Sequence, residues 1–298
     1  MKYIFFYCAF SVFSVFSVFS QSAAVAKQAP LNVKVIAGDP VNGAMSNSIL
    51  ITGKDHAFLI DTQQTVNNAN RVVEKIRETH KILSTVFFTH AHSDHILGAA
   101  VIKQAFPNAT FITTPEVALE IQKNGEHLRQ LFTKILADSK VQDTIADSIV
   151  VPTPIQSTSA LDFEGNKIRI IEVKSGESES SAMLYVPKYG TLFSGDVLYH
   201  DVHLWLRDGK FEDWIKNLKM VKGIPGLKTI YPGHGSRSGP ELVDRNLEYI
   251  DHYVKIVSSS ASVKDAVEKM KETYPRYKME RILSLGVEKN FPVMHPVM

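Results

Sequence analysis

The run Thr89-His90-Ala91-His92-Ser93-Asp94-His95 limits what this chain can fold into more than any other stretch. It sets three imidazoles and a carboxylate directly behind the apolar run Val86-Phe87-Phe88. Such a run reads as the end of a buried strand. Polar groups left unpaired there are costly to desolvate, so four of them together need a partner. A divalent cation suits this donor set, since zinc takes neutral imidazole nitrogens and carboxylate oxygens, usually four to an ion. Four donors on one short turn do not easily reach one ion, but they can serve two neighbouring ions. The pattern therefore points to metal-dependent hydrolysis, with room for a binuclear site.

Three later segments carry further donors. Gly176-Glu177-Ser178 follows Ile171-Glu172-Val173, Gly195-Asp196 follows Leu192-Phe193-Ser194, and Gly233-His234-Gly235 follows Thr229-Ile230-Tyr231. Each sits just past an apolar run, where a strand can hold a ligand rigidly. The single cysteine, Cys8, lies in the N-terminal segment, so every ligand must be His, Asp or Glu.

That N-terminal segment reads as a secretory signal peptide over residues 1–26. Met1-Lys2 gives a basic start, Tyr3 to Phe19 is apolar, and Ala24-Val25-Ala26 fits a small-x-small cleavage site ahead of Lys27. An uncleaved anchor is the competing reading, because the stretch is just long enough to span a bilayer. Cleavage predicts an exported protein, periplasmic or secreted, without stable membrane insertion and without thiols. The 298 residues carry a net charge of +2 and no basic run, which argues against nucleic acid as a partner and leaves a small-molecule substrate. Nothing in the sequence sets the oligomeric state.

Periodicity predicts strands at Asn32–Ile36, Ser48–Ile51, Ala57–Ile60, Thr85–Phe88 and Thr110–Thr113, with helices over Val66–His80 and Ile96–Phe106. Pro115 to about Asp138 is helical in pattern, and 139–160 reads as a loop-rich connection. Strands return at Ala160–Phe163, Ile168–Val173, Ala182–Val186, Thr191–Phe193 and Thr229–Tyr231, with helices over Phe211–Val221, Pro240–Val257 and Val263–Thr273. The tail from Arg281 carries no clear signal. The two halves echo each other, which suggests an α/β fold of four layers, an αββα sandwich spanning 27–298 with C-terminal helices from about 240. Periodicity alone gives only the α/β class.

Taken together, Leu59-Ile60-Asp61-Thr62, the H-x-H-x-D-H run, Phe193-Ser194-Gly195-Asp196 and Pro232-Gly233-His234-Gly235 resemble the metallo-β-lactamase superfamily, in the family's order and over roughly 32–240. The resemblance implies that His90 and His92 bind a first zinc, that Asp94, His95 and His234 bind a second, and that Asp196 bridges them. It also implies a hydroxide between the ions as nucleophile, with Asp94 in the catalytic machinery and Asp61 as a buried carboxylate steadying the motif. The sequence departs from the family at the third ligand of the first ion, where Glu177 stands in place of histidine. Three readings stay open: Glu177 ligates, the first site is weak or empty, or Glu177 shuttles protons. His200 and His203 follow the bridging aspartate, and His203 is a candidate for substrate contact or for the missing donor. Region 114–160, with Leu131, Phe132 and Ile135, is a candidate lid.

The expected function is a zinc hydrolase, with one or two ions, of a small ester, lactone, thioester or amide, a β-lactam among them. An iron-dependent oxidoreductase on the same ligands and a non-catalytic metal-binding protein with a degenerate first site are the alternatives.

Overall fold

The computed structural model describes residues 32–294 apart from 42, 43, 140 and 160. The expected leader, Cys8 and His295 lie outside the described residues. The strands are β1 Asn32–Ala37, β2 Asn47–Thr52, β3 His56–Ile60, β4 Ile82–Phe87, β5 Thr110–Thr113, β6 Thr153–Pro154, β7 Leu161–Phe163, β8 Asn166–Lys174, β9 Ser180–Val186, β10 Thr191–Tyr199 and β11 Thr229–His234. The helices are α1 Val66–Arg77, α2 Ser93–Ile96, α3 Ala99–Ala105, α4 Pro115–Ala137, α5 Phe211–Lys222, α6 Glu241–Ser259, α7 Val263–Thr273 and α8 Glu280–Met294.

The central strands are apolar at nearly every position because both of their faces are covered. Side chains alternate across a strand. Ile49, Ile51, Phe58, Ile60 and Phe87 thus enter one core, while Leu50, Ala57, Leu59 and Val86 enter another. In the second sheet Ala182, Leu184, Val186 and Phe193 face the first sheet, and Met183, Tyr185 and Leu192 face the other way. Three cores result. One lies between the sheets; one lies between the first sheet and α1, α3 and α4; one lies between the second sheet and α5 to α8. Three cores separate four layers, which is the expected αββα sandwich.

The first sheet runs β1-β2-β3-β4-β5-β6 and the second β11-β10-β9-β8-β7. The β2–β3 hairpin turns at Gly53-Lys54-Asp55, with Ile49 opposite Ile60. β3, β4 and β5 pair in parallel through the α1 and α3 crossovers, and β10 pairs in parallel with β11 across α5. Parallel pairing puts the C-terminal ends of β3, β4, β10 and β11 together, and these ends carry the donors. Ligands gather outside strand carboxyl ends in α/β sheets for the same reason.

Three expectations change. The helix expected over Ile96–Phe106 is two pieces, α2 and α3, joined at Leu97 and Gly98. Gly98 donates to the Gln63 carbonyl at 2.8 Å, and a side chain there would strike the Thr62 carbonyl. The connection 139–160 supplies a short edge strand, β6, paired with β5. The tail forms α8, whose Leu283 and Val287 complete the core under α6 and α7. No helix among the described residues is long and apolar enough to cross a membrane.

Candidate metal centre

Asp61 organises the site from the end of β3. It sits in the left-handed region at φ +58, which turns its carboxylate back under β4. The Thr89 amide donates to Asp61 Oδ1 at 2.8 Å, and both the Thr89 hydroxyl and His95 Nδ1 meet Oδ2 at 2.8 Å. Because the Thr89 proton goes to Asp61, its oxygen is free to accept from His90 Nδ1, 2.9 Å away. Both His90 and His95 therefore turn Nδ1 to this network and Nε2 inward. His90 presents a lone pair there. Burial opposes charge on His95, but Asp196, Asp94 and Asp61 outweigh it and keep a proton there for an incoming ion to displace. A carboxylate fixing the tautomer of a ligating imidazole is the usual support of such a site.

The donors fall into two groups, in each of which the ligand atoms lie within 4.8 Å of one another. His90, His92, Glu177 and Asp196 form the first; Asp94, His95 and His234 form the second. Asp196 joins them: its Oδ2 is 3.8 Å from His90 Nε2 and 3.1 Å from His234 Nε2, and its Oδ1 is 3.4 Å from His95 Nε2. Asp94 Oδ2 lies 3.5 Å from His95 Nε2 and 3.3 Å from His234 Nε2. Glu177 Oε1 meets His92 Nδ1 at 2.8 Å, and its Oε2 lies 3.7 Å from His90 Nε2.

Glycine is required twice. A side chain at Gly233 would collide with the Asp196 carboxylate, and one at Gly195, which sits at φ +50, would collide with Thr89. The two sheets are also stitched at this edge. Ala182 donates to the Thr89 carbonyl, Asn47 Nδ2 donates to the Pro232 and Gly235 carbonyls, and Ser46 forms an antiparallel bridge with His234.

The donor set fits metal ions. His90 Nε2, His95 Nε2, Glu177 Oε2 and Asp196 Oδ1 are buried without a hydrogen-bond partner; His90, Glu177 and Asp196 share the first donor group, and His95 Nε2 lies 3.4 Å from Asp196 Oδ1. Buried polar atoms are normally paired, so four orphans in one place call for a shared partner. Burial holds the His90 imidazole well below its ordinary range, in the neutral form that ligation needs. Burial also opposes charge on His92 and His234, but Glu177 beside the one and Asp196 beside the other outweigh it and lift both to about 9. The Asp94 and Asp196 carboxyls are held low against burial by His95 and His234. An ion entering here displaces protons from these imidazoles.

Solvent reaches the centre over His92 and Asp94, whose side chains are 31% and 14% exposed, while His90 and His95 are sealed. Trp205 stands edge-on to His92 with ring centroids 6.2 Å apart, and Arg207 lies over Trp205. His203 is elsewhere. It is buried, its Nδ1 meets the Tyr249 hydroxyl at 2.7 Å, and it packs against Tyr277. It joins neither donor group, so it does not supply the missing donor. His200 is tied by Nδ1 to the Ser236 carbonyl. In the candidate lid, Phe132 packs on the core outside the first sheet, while Leu131 and Ile135 are exposed.

Tyr199, which no sequence motif singles out, also belongs to the site. Its hydroxyl donates to Asp196 Oδ2 at 2.7 Å and lies 3.3 Å from Glu177 Oε1. Its ring stacks on His234 with an interplanar angle of 3°. Burial, with Asp196 and Glu177 nearby, pushes the phenol well above its usual range, so it remains a donor.

Comparison with known proteins decides the family. The family model described as "Metallo-beta-lactamase superfamily" matches residues 41–234, more than half of the chain. The chain belongs to the metallo-beta-lactamase superfamily. Among curated relatives, a hydroxyacylglutathione hydrolase of Prochlorococcus marinus (strain MIT 9312) is 24% identical over 62% of this chain and 64% of that protein. The chain thus spans a little under two thirds of that relative's length. A metallo-beta-lactamase type 2 of Bacteroides fragilis is 22% identical over 72% of this chain and 78% of that protein. Among solved structures, a metallo-beta-lactamase family protein from Thermus thermophilus superposes with a TM-score of 0.64 at 15% identity, covering 88% of this chain and 93% of that one. These likenesses show the metallo-beta-lactamase fold.

Proposed function

We propose that this superfamily member is a metal-dependent hydrolase, with zinc as its resident metal, acting on a small ester, lactone, thioester or amide. The observation that carries this reading is the meeting of the two donor groups at Asp196, with buried ligand atoms that no hydrogen bond among the described residues satisfies. The names of relatives support the range of bonds: one set is named for hydrolysis of hydroxyacylglutathione, a thioester, and the other for β-lactams. Bound there, the ions polarise a carbonyl and lower the pKa of bound water to about 7.

The protein's own residues do the rest. His90, His92 and Glu177 would hold one ion and Asp94, His95 and His234 the other, with Asp196 shared. Asp61 and Thr89 hold His90 and His95 by Nδ1 and so keep their Nε2 atoms aimed inward. Asp94 is the carboxylate nearest solvent and stands where the substrate enters, so its oxygen can accept a proton and return it to the leaving group. Trp205 and Arg207 form the wall beside His92. The leader read in the sequence supports an exported protein.

The test is D94A assayed on a panel of esters, lactones, thioesters and β-lactams. Turnover should fall by at least about a hundredfold, the scale of a lost acid–base group, while circular dichroism stays native. A variant that turns over at the wild-type rate sinks the assigned mechanism.

A further inference from the structure

Glu177 changes the chemical symmetry of the centre. With histidine there, one half would hold three imidazoles and the other two imidazoles and a carboxylate. With Glu177, each half has the same terminal donors: His90, His92 and Glu177 on one side, His95, His234 and Asp94 on the other. Asp196 lies between them and touches donors of both. Glu177 is held for such a role. It is 3% exposed, its Oε1 is occupied by His92 and Tyr199, and its Oε2 is buried, unpartnered and aimed toward His90 Nε2. The turn before it is built on Gly176 at φ +140, where a side chain would crowd Asn217 and Trp214.

We propose that Glu177 makes the two halves equivalent, so that the centre takes two ions of one kind and accepts harder cations of the manganese and iron class beside zinc. The inference rests on the metal-dependent reading above. Carboxylate donors suit manganese, two imidazoles with one carboxylate suit iron(II), and a third imidazole shifts the balance toward zinc. Three carboxylates also face two divalent ions, one negative charge more than with histidine at 177.

The experiment is a calorimetric titration of the metal-free full chain with manganese(II) and, separately, zinc(II), with elemental analysis after desalting. Wild type should bind two manganese ions of similar affinity. E177H should keep one of them, and at the other its manganese affinity relative to zinc should fall by about tenfold or more, following the donor change. E177Q, nearly identical in size, should also lose one manganese ion and decides the matter if E177H does not fold. Two manganese ions with unchanged preference in either folded variant would overturn the role of Glu177 and leave the hydrolase reading standing. A single ion in wild type would overturn the equivalence of the halves. Wild type that binds neither metal would overturn the metal-dependent reading itself.

Discussion

At the scale of the residue, Tyr199 shows how the backbone can hide a site member. Asp196 and Tyr199 are three apart in β10, and in a regular strand they would face opposite sides. Here the pairing of β10 with β11 slips between Phe193 and Gly195 and again between Gly195 and Tyr199, and Gly195 takes φ +50. The slips bring both side chains to one place, and the phenol reaches Asp196 Oδ2 at 2.7 Å. The donors of the H-x-H-x-D-H run were legible because a single turn holds them. Asp196 and His234 were legible from their glycines and the resemblance, whereas Tyr199 depends on a slip no pattern announces. His203 shows the reverse: its position after the bridging aspartate suggested a role, but the chain turns it into the tyrosines under α6. Y199F removes the donor from a charged, buried acceptor, a loss of about 1.5–3 kcal/mol. Metal affinity measured by chelator competition should fall by about ten- to a hundredfold with the fold retained. An unchanged affinity would mean that the phenol does not steady Asp196.

At the scale of the element, Glu164 ties the two sheets together far along the chain from the donors. It sits in the β7–β8 turn at φ +49 and accepts from the backbone amides of Lys54, Asp55 and His56 in the β2–β3 turn. Each turn was legible by itself from its glycine and polar residues. Their contact was not, since it joins positions more than a hundred residues apart. Burial opposes the charged form of Glu164, but those amides and His56 outweigh it and hold the carboxyl down at about 2. The sign follows from the folded pKa lying below the unfolded value of about 4.3. The bonds add stability in full above that unfolded value, and the contribution fades as pH falls from there toward about 2. E164Q lacks this titration. Its denaturant midpoint should be lower than wild type at pH 7 and should converge on wild type near pH 2–3, both read by urea unfolding at a series of pH values. Equal midpoints at pH 7 would show that the carboxylate adds nothing to the turn.

At the scale of the whole molecule, β2, β3 and β9 send successive side chains into different cores, which explains how a chain without a disulfide in its described part builds three separate cores. Continuous apolar strands could be read from the sequence as buried, but which face belongs to which core depends on how two sheets stack, and the family resemblance supplied that. The C-terminal cover was less legible: α8 contains Gly286 and ends near Pro292, so its pattern is weak, and its helix is fixed by packing against α6 and α7. The donors come from both sheets, His90 to His95 beyond β4 in the first and Glu177, Asp196 and His234 on β8 to β11 in the second. Ions held there bind only the folded chain and therefore stabilise it by mass action, about 2.7 kcal/mol for each site filled at a hundredfold above its Kd. For a domain of this size that is roughly 5–10 °C in Tm for each ion. Chelation followed by calorimetry should lower Tm by that amount per ion removed, and adding zinc back should restore it. The stripped protein should still unfold in one transition, since Ala182, Asn47 and Ser46 join the sheets at the same edge without any ion. A Tm that does not move on stripping would mean that those hydrogen bonds alone set the stability of the edge. Two separate transitions would mean that the sheets part when the ions leave.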